Sequence, residues 1–114
     1  SGDILWDRIQ ETVPKVVKGW KAVGLNPRFR FYQYIVGTSF KPHFDGHFAK
    51  NNEERSFLTL LVALNEPMEG GATTFFGDYF ESGKLECPPE TGKGIFFYHR
   101  KWLHEGSPVT EGVK

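Results

Sequence analysis

The segment Lys41-Pro42-His43-Phe44-Asp45-Gly46-His47 sets an imidazole and a carboxylate two residues apart. In an extended chain, side chains two apart share a face. His43 and Asp45 then point the same way, and Phe44 points into the opposite layer. Such a pair can fill two adjacent positions on a metal ion. A second imidazole from a distant strand would complete a set of two histidines and one carboxylate. That set suits non-haem Fe(II), because it leaves coordination positions open for chemistry. Alone, His-x-Asp is a common pairing, and the plain alternative makes His43 a surface-turn histidine beside Gly46.

The third ligand must come from His47, His99 or His104. His47 follows the Gly46 turn and lies close along the chain for a third ligand; pocket lining or surface suits it better. His99 follows Phe96-Phe97-Tyr98 and precedes Arg100-Lys101, as at a strand end, which favours a structural or surface role. His104 lies in Trp102-Leu103-His104-Glu105-Gly106-Ser107-Pro108-Val109, with Lys114 ten positions later.

These residues need a scaffold of strands, and the sequence supplies one. With 114 residues and 13.0 kDa the chain is sized for a single domain, residues 1–114. Eleven Phe are a large apolar payload for a core this small. Residues 3–18 read as an amphipathic helix, with Asp3 as N-cap and Ile4, Leu5, Ile9, Val13, Val16 and Val17 at roughly helical spacing. Pro14 is a candidate kink or break. Gly19, Gly24, Asn26 and Pro27 mark the exit and a loop. From about residue 28 the pattern changes to short extended runs punctuated by Gly and Pro. These are 29–35, 40–44, 56–64, 72–76, 95–98, 102–104 and 108–113. The run from Ser56 to Leu64 is nearly continuous in apolar residues and is expected to be buried on both sides. Many short strands with Gly/Pro turns point to a sandwich or barrel over about 28–114.

Composition narrows the partners. Formal net charge is zero, from 14 basic and 14 acidic residues, which gives no electrostatic reason to expect nucleic acid. The one cysteine, Cys87, excludes an intrachain disulfide framework and a cysteine-rich zinc site. It fits a reducing compartment, and with no signal peptide at the start it favours the cytoplasm or nucleus. No apolar run approaches a membrane span.

The chain resembles the Fe(II)/2-oxoglutarate-dependent oxygenase superfamily, in its prolyl 4-hydroxylase-like branch. Four pieces carry the resemblance in order: Tyr34–Asp45 (YIVGTSFKPHFD), Arg55–Glu66 (RSFLTLLVALNE), Glu69–Phe76 (EGGATTFF) and His104–Lys114 (HEGSPVTEGVK). It implies a mainly β fold, a double-stranded β-helix or jelly-roll, with iron in its open mouth. It implies that His43, Asp45 and His104 bind iron. Lys114 then matches the basic residue that pairs with the C5 carboxylate of 2-oxoglutarate. Thr59 matches a hydroxyl near that carboxylate, and Tyr34 an aromatic lining the cosubstrate pocket. A dicarboxylate held deep in a barrel does need a cation at its far end. Each of these three also has a simpler reading: a solvated lysine, a core-strand β-former and a packing aromatic. Ascorbate is an accessory the resemblance carries with it.

Three departures stand out. Relatives continue past the basic residue with one more strand, whereas this sequence stops at Lys114. Ala72 stands where relatives often carry Glu in the Gly-Gly turn. Ala63 replaces a frequent aromatic, which implies a roomier pocket.

The resemblance implies that 2-oxoglutarate and O2 are consumed, a C–H bond is hydroxylated, and succinate and CO2 are released. The expected substrate is a peptidyl residue such as proline on a protein partner, with 46–55 as a loop over the mouth. A small-molecule substrate is the runner-up. Two rivals keep the same ligands without this reaction: a non-catalytic metal-binding jelly-roll and a zinc hydrolase.

Overall fold

A computed structural model describes residues 2–114 of the chain. They form two compact units, one ending at Phe31 and one spanning Tyr32–Lys114.

The first unit holds helix α1 (Gly2–Ile9) and a small hairpin of β1 (Val16–Val17) and β2 (Trp20–Lys21). The helix expected over 3–18 therefore stops at Ile9. Pro14 has no N–H to bond to the carbonyl of residue 10, and its ring disfavours a helical Val13. Thr12 closes the end instead, its N–H and hydroxyl both donating to the Ile9 carbonyl at 2.9 and 2.7 Å. Val16 and Val17 then pair with Trp20 and Lys21 across a two-residue turn. Lys18 and Gly19 hold φ of 50° and 80° there, the double left-handed turn that matches strand twist. The Asp3 cap lies outside the described side chains.

The second unit is built of antiparallel pairs. A four-stranded sheet runs β3 (Phe40–His43), β9 (Leu103–Gly106), β6 (Thr73–Phe76), β7 (Lys84–Cys87). A two-stranded sheet pairs β4 (Leu58–Val62) with β8 (Gly94–Tyr98) over five residues in unbroken register. β5 (Glu69–Gly70) pairs with β10 (Val109–Glu111). Gly70 needs its lack of a side chain: its φ is +80°, and a Cβ there would collide with the backbone of Pro108 and Thr110.

This is the mainly β, jelly-roll arrangement expected. Its core lies where the two larger sheets meet. Phe75 on β6 and Phe97 on β8 are each 7% exposed and touch edge-on, ring centres 5.0 Å apart. Val109 is fully buried. The two-sided burial expected for 56–64 does not occur, since Leu61 and Val62 are 37% and 39% exposed. The 29–35 run forms no strand; Tyr34 alone of these residues exchanges backbone hydrogen bonds with Lys114, and Val36 bridges Val109. Among the described residues, no helix is long and apolar enough to cross a membrane.

Candidate metal centre

Strand pairing brings the two distant histidines together. His43 on β3 and His104 on β9 are direct antiparallel partners, and cross-strand partners share a face. Their rings tilt against each other with centres 4.3 Å apart. Asp45, two residues past His43, turns to the same side. Its backbone N–H donates to the His99 carbonyl at 3.0 Å, which fixes the chain as it leaves β3. Asp45 Oδ1 then lies 3.2 Å from His43 Nε2 and 3.5 Å from His104 Nε2. One ligand atom from each residue lies within 4.8 Å of the others.

The outer nitrogens decide what this cluster can hold. His43 Nδ1 sits 2.7 Å from the Lys41 carbonyl, and His104 Nδ1 sits 3.0 Å from the Trp102 carbonyl. A carbonyl only accepts, so each Nδ1 carries the hydrogen. In the neutral form each imidazole would then turn its Nε2 lone pair toward Asp45 Oδ1, and three acceptors facing one another without a donor repel. A proton or a cation resolves that repulsion, and imidazole nitrogens anchored through their other N–H are the usual metal ligands. Octahedral neighbours at ~2.1 Å from an ion stand roughly 3 Å apart, close to the spacings here. The donor set thus fits Fe(II).

The same contacts set the charges. Burial pushes the Asp45 carboxyl up, but hydrogen bonds from His104 and Thr59 and the nearby imidazoles outweigh it and hold it below the ordinary carboxylate range. Burial pushes His104 down, yet its contacts with Asp45 and the Trp102 carbonyl win, so it keeps its proton above the ordinary histidine value. Phe97 and Phe75 wall His104, at 4.7 and 5.8 Å between ring centres, and Phe40 lies 4.2 Å from His43. The side chain of His104 is 5% exposed, against 29% for His43 and 27% for Asp45. The centre is dry behind and open in front.

The model of the 2OG-Fe(II) oxygenase superfamily matches residues 29–114. The chain belongs to this superfamily. Membership implies Fe(II), 2-oxoglutarate and O2. A curated Arabidopsis thaliana protein described as probable prolyl 4-hydroxylase 3 is similar, at 24% identity over 135 aligned positions. The alignment covers 95% of this chain and 47% of the relative, so the chain spans about half the relative's length. No solved structure gives a significant match.

The other expected residues fall into two groups. Tyr34 and Lys114 are brought together: their backbones exchange hydrogen bonds at 2.9 and 2.8 Å, and Lys114 Nζ lies over the Tyr34 ring at 4.9 Å. The Tyr34 ring and hydroxyl cross Gly106, two residues past His104; a Cβ on Gly106 would meet both at 3.0 Å. Burial alone pushes the Lys114 ammonium below its ordinary value. Among the described residues, no carboxylate pairs with it. Burial and then the neighbouring Tyr32 push the Tyr34 phenol up.

Thr59 turns its hydroxyl to the ligand cluster. Its hydroxyl donates to Asp45 Oδ2 at 2.8 Å.

His47 and His99 stay out of the cluster. His47 is exposed, with Arg100 Nη1 3.3 Å from its Nδ1. His99 is buried, 3% exposed, its Nε2 3.2 Å from Ser56 Oγ and its Nδ1 without a partner among the described residues. Sequence reasoning missed the two carbonyl anchors. Their signal was present in principle, since each is the residue two before its histidine.

Proposed function

We propose that the chain is the catalytic unit of an Fe(II)- and 2-oxoglutarate-dependent dioxygenase, with His43, Asp45 and His104 as the iron ligands. The observation that carries this is the convergence of two imidazole Nε2 atoms and one carboxylate oxygen on a single point. Bound iron, with O2, would supply the oxidising power that turns 2-oxoglutarate into succinate and CO2 while a C–H bond is hydroxylated.

The chain's own residues do the rest. Lys41 and Trp102 carbonyls hold the imidazoles in the tautomer that ligates. Lys114, half-buried and without an acidic partner, takes the C5 carboxylate of 2-oxoglutarate, and Tyr34 lines that end of the pocket. An unpaired cation in such surroundings is costly, and an anionic ligand relieves the cost. Phe75 and Phe97 exclude water behind His104. The lysine separates this reading from a zinc hydrolase, whose chemistry gives it no task.

A peptidyl residue such as proline is the proposed substrate. Support comes from the Arabidopsis relative, described as a probable prolyl 4-hydroxylase. Ascorbate serves as the reductant that keeps the iron in its ferrous state.

The test is succinate formation with Fe(II), ascorbate and 2-oxoglutarate, with and without proline-containing peptides. Succinate above background that disappears in His43→Ala supports the dioxygenase. Peptide-stimulated turnover supports the substrate class; stimulation by small molecules alone redirects it. Metal binding with neither 2-oxoglutarate binding nor succinate would make the chain a non-catalytic module.

A further inference from the structure

Thr59 is the sole hydroxyl in the apolar run Leu58–Leu64. On β4 it pairs directly with Phe97 of β8, so the two side chains share a face. Phe97 packs edge-on against His104 at 4.7 Å. That placement aims Thr59 at the ligand cluster, and its hydroxyl donates to Asp45 Oδ2 at 2.8 Å. A threonine hydroxyl has one hydrogen to give. In this structure that hydrogen goes to Asp45.

We infer that Thr59 is a positioning residue for Asp45, holding its carboxylate so that Oδ1 alone faces the two imidazoles. Building on the proposed metal centre, this gives each of the three ligands its own anchor. Lys41 carbonyl fixes His43, Trp102 carbonyl fixes His104, and Thr59 fixes Asp45. The first two anchors are backbone and travel with their histidines. The third comes from the facing sheet, so it also ties β4 to the chain just after β3. With Oδ2 engaged by Thr59, Oδ1 is the oxygen that Asp45 would offer to an ion. The β-branched side chain is stiff at χ1, so the hydroxyl is held in place.

The experiment compares Co(II) affinity of the full chain without cosubstrate, read by visible absorption. Thr59→Val keeps the shape and removes the donor. It should weaken Co(II) binding by about 10–100-fold, the usual loss when a ligand's anchoring partner is removed. Thr59→Ser should recover most of that loss. In an Asp45→Ala background, Thr59→Val should change nothing further. Circular dichroism reports whether Thr59→Val is folded; if it is not, Thr59→Ala takes its place against Thr59→Ser.

Parental Co(II) affinity in the folded donor-less variant would overturn the inference. So would an equal loss in the Asp45→Ala background. Unchanged metal affinity with weakened 2-oxoglutarate binding to the Co(II)-loaded protein would instead give the hydroxyl to the cosubstrate. Should His43→Ala bind Co(II) as the parent does, the metal centre itself falls, and the Thr59 role with it.

Discussion

Lys114→Met isolates the cation at the proposed cosubstrate site. The Lys114 stem packs closely, with its Cδ 3.2 Å from where a Cβ on Gly71 would stand, and its ammonium caps the Tyr34 ring. Methionine keeps most of that stem and deletes the charge. A hydrogen bond to a charged group is worth about 1.5–3 kcal/mol. At about 1.4 kcal/mol per tenfold, 2-oxoglutarate affinity should fall by roughly 10–150-fold. Metal affinity should not change, because Lys114 is not among the three ligand residues. Stability should move the other way. Burial lowers the Lys114 value below its ordinary 10.5 with no acid to offset it, so the charged form is uncomfortable in the ligand-free fold. Lys114→Met should therefore melt no lower than the parent, and higher near neutral pH. The assay is calorimetric titration of 2-oxoglutarate into Mn(II)-loaded protein without O2, alongside thermal melts with and without cosubstrate. Equal 2-oxoglutarate affinity in the two proteins would refute the assignment. So would a cosubstrate-induced rise in melting temperature that survives in the variant.

Gly106→Ala should cost about 1–3 kcal/mol of stability by overpacking, since its Cβ would meet Tyr34 at 3.0 Å and Phe40 at 3.2 Å; urea unfolding measures it, and 2-oxoglutarate affinity should fall as Tyr34 shifts. Metal affinity should drop with acid, because His104 holds its proton above the ordinary 6.5 and the ion must displace it; a Co(II) titration that is flat from neutral pH down through the histidine range would contradict this. His99 behaves oppositely. Burial lowers its value below 6.5, so its contribution to stability is whole above 6.5 and is lost as pH falls through the lower folded value. The unfolding free energy of His99→Gln should show a shallower fall in that window than the parent's.

The His43, Asp45 and His104 cluster was legible because the signal is short-range twice over. His43 and Asp45 need only the two-residue repeat of an extended chain, and His104 needs only a strand of its own. What lay beyond reach was pairing. Nothing local says that Thr59 lies against Asp45, because that contact depends on how β4 faces the chain leaving β3. The N-terminal helix was overextended because Val13, Val16 and Val17 satisfy helical spacing as well as a hairpin does. Pro14 and the Lys18-Gly19 turn settle it, since one removes a donor and the other supplies left-handed backbone. β5 is not marked in the sequence, because Glu69-Gly70 has no strand-forming side chain and is a strand only through β10. Tyr34 and Lys114 were each expected to serve a cosubstrate pocket, and the fold brings them into contact. The apparent strand around Tyr34 was only that one pairing.

The direct pairing of His43 with His104 has a consequence for assembly of the chain. A slip of one residue between β3 and β9 would send one imidazole to the far face and leave no site. Any ion that binds therefore rewards a single threading of two segments some sixty residues apart, and it closes the large intervening loop as it does so. An ion held by all three residues would thus stabilise the aligned pairing over a slipped one, through nothing more than its preference for the fold that offers a complete set of ligands.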